Sequence, residues 1–276
     1  MRVLLALAVS ACAVDPATED TLELERNKQE PRNGFISICD LSHRASDDPI
    51  VHPGDPGASH RHNFYGNDTT DAFSTNRNML PADTSCAFDG DTAAYWMPTA
   101  WKNGEQVDTM GGRMYYRRGH LEGHIEAYPF GLRMIAGDSM AMHPQSLDVV
   151  SWGCTKNEGT RYYHPQDCPD DHVRATVEFP DCWDGVHLDS PDHKSHMAYD
   201  DKGVCPPTHP VQMPHLFLDF QFQTEHGKGI RLSSDMPGMP DGETLHADFW
   251  NTWHEDKLKA KIESCFNTDE ACGQLQ

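Results

Sequence analysis

The chain has 276 residues, a formal charge of −21 and a mean hydropathy of −0.66. That length suits one large domain and does not demand two, and so acidic a surface repels phosphate backbones, which disfavours nucleic acid as a partner. No stretch reaches the roughly 20 consecutive apolar residues of a transmembrane helix.

The predicted elements begin with an export segment. Residues 1–12 carry Arg2, an apolar run from Val3 to Val9 and small residues before Cys12, the layout of a secretory signal. Val9-Ser10-Ala11-Cys12 also resembles a bacterial lipobox, in which Cys12 would carry a lipid and supply the sole membrane attachment. A plain cleaved signal, or a start site without one, are the alternatives, so the protein is expected to be lipid-anchored at the cell surface or secreted. Residues 13–33 are charged and punctuated by Pro16 and Pro31, and read as a flexible acidic tether. A single disulfide-bonded globular domain is expected over 34–276, opening on the alternating strand Gly34–Cys39.

Cysteine usage agrees with export. With Cys12 set aside, Cys39, Cys86, Cys154, Cys168, Cys182, Cys205, Cys265 and Cys272 form an even set, read as up to four disulfides with the pairing left open. The rival, a thiolate zinc site, lacks any Cys-x-x-Cys pair.

Downstream, the apolar runs are short: 114–116, 132–136, 147–152, 176–179 and 216–222, separated by turn clusters such as 53–57 and 237–242. Short runs bounded by Gly and Pro predict strands. The fold class expected is mainly β: a β-sandwich-like stack of antiparallel sheets with long loops and a short C-terminal helix. That helix is expected over 248–262, with Trp253, Leu258 and Ile262 turned inward.

Four segments gather chemistry-bearing side chains. In Ser59-His60-Arg61-His62, period-two geometry places both imidazoles on one face about 6–7 Å apart, a half-site for one cation; metal-free catalysis and a plain hydrogen-bond network are the alternatives. Arg133 stands in an otherwise apolar run, either as a clamp for an anion or carboxylate or in a structural ion pair with Asp138 or another acid. Ser190 and Pro191 can start a helical turn that would bring His193 and His196 together at i,i+3. Asp184 and Asp192 would then orient them or share acid–base work; a capped surface turn is the bland reading. Period two also sets His246 beside Asp248, completing a shell begun by His60 and His62, unless Asp248 caps the helix that follows. The nucleophile elbow, the His-Glu-x-x-His zinc motif, the P-loop and the dinucleotide fingerprint are all missing.

These segments carry a resemblance. Arg44 with Asp48-Pro49-Ile50, Ser59-His60-Arg61-His62, Thr84-Ser85-Cys86, Ala94-Tyr95-Trp96-Met97-Pro98, the runs 131–138 and 179–185, LDSPDHKSHMAY at 188–199, the run 205–210 and His246-Ala247-Asp248-Phe249 follow one another in this order. The set resembles a secreted family catalogued as domain of unknown function 1996, common in fungi and often found beside WSC carbohydrate-binding modules. It spans about Phe35 to Cys265. The resemblance brings no activity, but its companions imply work at cell walls or extracellular glycans.

The expected protein is therefore an extracellular hydrolase or lyase acting on polysaccharide through a His- and Asp-rich cleft. His60, His62, His246 and Asp248 are the expected ligands of one divalent metal, copper or zinc. His193, His196, Asp184, Asp192 and Arg133 are the expected catalytic groups, and Arg44, Trp96 and Lys194 the expected substrate contacts. A non-catalytic glycan- or wall-binding lipoprotein and a metal-binding surface protein are the alternatives. All of this requires residues near 60, 133, 193 and 246 to meet in one hollow.

Overall fold

The computed structural model describes residues 33–268 and 270–276; the export segment, Cys12 and the tether up to residue 32 lie outside the described residues. Strands are numbered in chain order. The larger sheet places side by side Asn157–Tyr162 (β10), Val150–Cys154 (β9), Val173–Glu178 (β11), His215–Phe222 (β15), Thr109–Arg117 (β7), Gly34–Cys39 (β1) and Gly273–Gln274 (β18). The smaller sheet places side by side Leu41–Ala45 (β2), His62–Gly66 (β3), Ala94–Pro98 (β4), His246–Trp250 (β17) and Arg133–Gly137 (β8). Only β1 and β18 run parallel within these two sheets. Two small ribbons flank them, Cys182–Trp183 (β12) with Met197–Ala198 (β13) and Val211–Gln212 (β14), and Ala100–Lys102 (β5) with Glu105–Gln106 (β6) and Arg231–Leu232 (β16). The fold is mainly β, as the short apolar runs predict.

Alternation along each strand decides what faces the interior. In β15, Leu216, Leu218, Phe220 and Phe222 are buried against the smaller sheet, which contributes Tyr65, Tyr95, Met97, Met134, Ala136, Ala247 and Phe249 to the same cluster. Each large side chain buried in this way stabilises the stack by about 1.5–3 kcal/mol. The smaller sheet is covered on its second face as well. Ile50, Phe64, Met79, Ala94, Trp96 and Trp250 form a separate cluster there, under the segments 46–61 and 70–80. The latter is fastened by Trp250 Nε1 donating to Asn76 Oδ1 at 2.7 Å. Every position of β3, β4 and β17 is consequently buried.

Four disulfides close the domain: Cys39–Cys86, Cys154–Cys168, Cys182–Cys205 and Cys265–Cys272. The terminal helix runs Glu255–Phe266, with Leu258 and Ile262 buried and Trp253 buried just ahead of it. Residues 248–250 belong instead to β17, which corrects the expected helix start and removes the capping role offered to Asp248. Pairing on both sides, with β4 and β8, outweighs any local helix preference there. Among the described residues, no helix is long and apolar enough to cross a membrane.

Candidate functional site

The second face of the smaller sheet carries the histidines. β3 and β17 flank β4, so His62 on β3 and His246 on β17 stand across one strand from each other. His60 lies just before β3. The ring centroids are 4.2 Å apart for His60 and His62, 5.0 Å for His60 and His246, and 5.9 Å for His62 and His246. Their ligand atoms all fall within 4.8 Å of one another, as do those of Asp48, His62 and Asp248. Such spacing approaches that of ligands bound about 2.0–2.1 Å from one ion. A third grouping, Cys39, Cys86 and Asp91, is closed by its disulfide.

Hydrogen bonds fix which nitrogens are available. His62 Nδ1 donates to the carbonyl of Asp47 at 2.9 Å, and His246 Nδ1 to that of Thr244 at 2.7 Å. A carbonyl only accepts, so in the neutral ring the lone pair sits on Nε2, the arrangement usual for a metal-binding histidine. His60 Nε2, His62 Nε2 and Asp248 Oδ2 are buried with no hydrogen-bond partner. Burial, reinforced by the neighbouring imidazoles, pushes His60 and His246 down to about 3 and holds His62 well below the usual range. All three rings are therefore neutral near pH 7. Burial, then the nearby Asp48, pushes the Asp248 carboxyl well up against the opposing pull of Lys194. Asp48 is raised too, despite accepting from the Ile50 and Val51 amides at 3.0 Å each. An orphaned buried polar atom costs about 1–3 kcal/mol, and a cation among the three histidines would relieve the Nε2 atoms of His60 and His62 together; Asp248 groups with His62 and Asp48, not with His60 or His246. Gly137 makes the geometry possible. With φ of +81°, a Cβ there would stand 2.4 Å from the Leu245 carbonyl and 2.8 Å from His246 Cα, so β8 reaches β17 this closely only with glycine.

The segment 184–196 behaves differently from expectation. Its backbone makes successive turns, closed by His193 N to Ser190 O at 2.8 Å and Met197 N to Lys194 O at 3.0 Å, with His193 at φ +56°. The expected helical pairing of His193 with His196 does not form. His196 is buried, its Nε2 donating to the Arg133 carbonyl at 2.7 Å and its Nδ1 lying 2.9 Å from Ser190 Oγ. Asp184 is 2.6 Å from His187 Nδ1 and accepts from the Val186 and His187 amides, which outweigh burial and bring it down to about 2. Asp192 Oδ1 accepts from Ser195 N, Ser190 Oγ, Ser195 Oγ and Lys194 N, which hold that carboxyl well below the usual range. Both acids stabilise turns, and neither is grouped with the clustered histidines. Arg133 is paired with Asp189 at 3.1 Å and lies over the Trp250 ring at 4.0 Å, so the structural ion pair is what forms, with an acid other than Asp138. Asp189 also accepts from His193 Nδ1 at 2.8 Å. Arg133→Lys, which keeps the charge but loses the flat stack, is expected to cost about 1 kcal/mol, a fall of roughly 2–4 °C in melting temperature by calorimetry.

A family model described as "Domain of unknown function (DUF1996)" matches residues 48–253. The chain belongs to the DUF1996 family. The matched span holds all three clustered histidines, Asp48, Asp248 and the turn segment of this DUF1996 protein. No curated protein and no solved structure matches the chain at a significant level.

Of the substrate contacts expected in this DUF1996 domain, only Lys194 stands near the cluster. It donates to the Gly137 carbonyl at 2.6 Å and, with His193, Gly137 and Ile135, lines a hollow of about 240 Å³. Arg44 pairs across β2–β3 with Asn63, whose side chain points away from the His62 face; it bonds Asn63 Oδ1 at 2.9 Å and Asp108 Oδ1 at 2.7 Å. Trp96 is fully buried, 5.5 Å from Phe64, so it cannot be a sugar platform. Both expectations are corrected. Sequence reasoning overlooked Asp48 and Asp189 as site residues, although both sit inside motifs it singled out. It also overlooked His215, whose partners Glu178 and Asp181 lie 37 and 34 residues away, beyond any local pattern.

Proposed function

We propose that this protein is an exported, metal-dependent enzyme acting on extracellular polysaccharide, with one copper or zinc ion bound by His60, His62 and His246 and by Asp248. The observation that carries the reading is the convergence of three neutral imidazoles whose ligand atoms lie within 4.8 Å of one another, two of them oriented by backbone carbonyls. An imidazole-rich set favours copper or zinc over calcium or magnesium. A metal held by these side chains would supply Lewis acidity toward a carbonyl or a bound water. Asp48, whose pKa burial raises, lies beside it and offers a carboxyl for acid–base work, and His193 and Lys194 line a hollow that adjoins the cluster through Gly137. That combination suits hydrolysis or β-elimination of a glycan. Export is supported by the signal-like residues 1–12 and by four disulfides, and a wall or glycan setting by the modules that accompany the family.

Elemental analysis of native, untagged protein, followed by assay of sugar release from wall polysaccharides, tests the reading. We expect about one equivalent of copper or zinc per chain, with release abolished by a chelator and restored by the metal. Protein purified without metal sinks the proposal. Metal without turnover would leave the metal-binding surface protein as the better account.

A further inference from the structure

Three hollows share walls on one side of the molecule. The first, about 240 Å³, runs along β8, the edge strand of the smaller sheet, between Gly137 and Lys194. It adjoins the histidine cluster, because Gly137 pairs with His246 across β8–β17. The second, about 660 Å³, has Ser146, Val149 and Tyr199 in common with the first and extends to Arg161 and His215. The third, about 270 Å³, has Arg161, Glu178 and His215 in common with the second and ends at Thr176 and Phe217 on the outer face of the larger sheet. The middle hollow alone reaches the roughly 300–1,000 Å³ of ordinary ligand pockets. Joined end to end, the three suit a chain better than a single small molecule.

The lining says what kind of chain. Its charges are of both signs and nearly balanced over the whole length, five Lys or Arg against four Asp or Glu; Arg161 lies 2.6 Å from Glu178 and 4.0 Å from Asp148, and His215 lies 3.0 Å from Glu178 and 3.3 Å from Asp181. Hydrogen-bonding groups are dense while net charge is small, on a chain of formal charge −21 whose field repels polyanions. Two aromatic faces lie along the way. Tyr199 is 41% exposed, with its hydroxyl donating to the Glu178 carbonyl at 2.9 Å, and Phe217 is stacked on Tyr115 at 4.4 Å. Rings of this kind accept the apolar face of a sugar.

We propose that these hollows form one trough that binds an extended, uncharged glycan chain and leads it past Tyr199 to the histidine cluster. The inference deepens the polysaccharide reading, rests on it and narrows it to hydrolysis, because β-elimination requires a uronate carboxyl to acidify the proton removed. Calorimetric titration of the native protein with neutral β-linked glucose or N-acetylglucosamine oligomers of about two to six rings, and with uronate oligomers of matching length, tests it. Affinity rises with chain length, and uronates bind about tenfold more weakly. Tyr199→Ala lowers affinity for the longest neutral oligomers about tenfold with metal content unchanged, while Tyr199→Phe, which keeps the ring, retains it. Should the alanine variant fail to fold, Arg161→Gln, on a half-exposed side chain, is expected to give a loss in the same direction. Length-independent affinity, tighter binding of uronates, or undiminished affinity in both Tyr199→Ala and Arg161→Gln overturns the trough. Native protein that lacks metal yet binds with length dependence loses the enzyme reading and keeps the trough; metal-bearing protein with length-independent binding loses the trough alone.

Discussion

His246→Ala is expected to weaken metal binding by more than about 100-fold, since losing even the partner that orients a ligand costs about 10–100-fold. The substitution removes one of three imidazoles that meet within 4.8 Å and leaves a two-histidine site. Removing so deeply buried a ring, with its hydrogen bond to Thr244, also costs the metal-free protein about 2–5 kcal/mol, so the metal-dependent part is the part that responds to a chelator. The contrast shows in melting curves. Metal at about 1,000 times its dissociation constant stabilises the native protein by about 4 kcal/mol, so a chelator should lower the wild-type melting temperature by several degrees and shift the His246→Ala curve no more than about a third as far. Equal affinity for copper and zinc in wild type and variant, by competition titration, would falsify the three-histidine assignment.

The second large effect is a fall in stability of about 2–3 kcal/mol between pH 6.5 and 9. Burial by itself would lower the His215 pKa, but hydrogen bonds and charge from Asp181 and Glu178 outweigh it and raise the group to about 9. An unfolded histidine titrates near 6.5. The folded state thus keeps a proton that the unfolded state has already released, so this contribution is fully present below pH 6.5 and is lost as pH rises through about 9. Asp91, raised by burial to about 7, adds a slope of the same sign below pH 7 and does not cancel it. Urea unfolding at pH 6, 7.5 and 9 measures the effect, with His215→Gln as the control. A variant whose stability falls across this window as steeply as that of the wild type would remove His215 as its source.

Parts of the site are legible in local sequence because strand periodicity is local. His246 and Asp248 are two residues apart on β17, and alternation alone puts them on one face. His60 and His62 follow the same rule, and their rings stand together although His60 precedes the strand. Short apolar runs between Gly- and Pro-rich turns likewise announce strands, whichever partners those strands find. Local cues mislead where a turn has competing solutions. Ser190-Pro191 is compatible with a helical start, yet the Asp192 carboxylate gathers the Lys194 and Ser195 amides into tight turns instead.

Alternation tells which side chains share a face, and the sequence by itself therefore determined a layered β domain with two histidine-bearing faces. Only the tertiary structure decided that β3 and β17 flank β4, which brings those faces together. It alone decided that the segment 46–61 folds over them, delivering Asp48 and burying Trp96, and that Arg133 meets Asp189 at a separation of 56 residues. Strand order and loop closure follow from how all the apolar faces pack at once, and no window of neighbouring residues contains that competition.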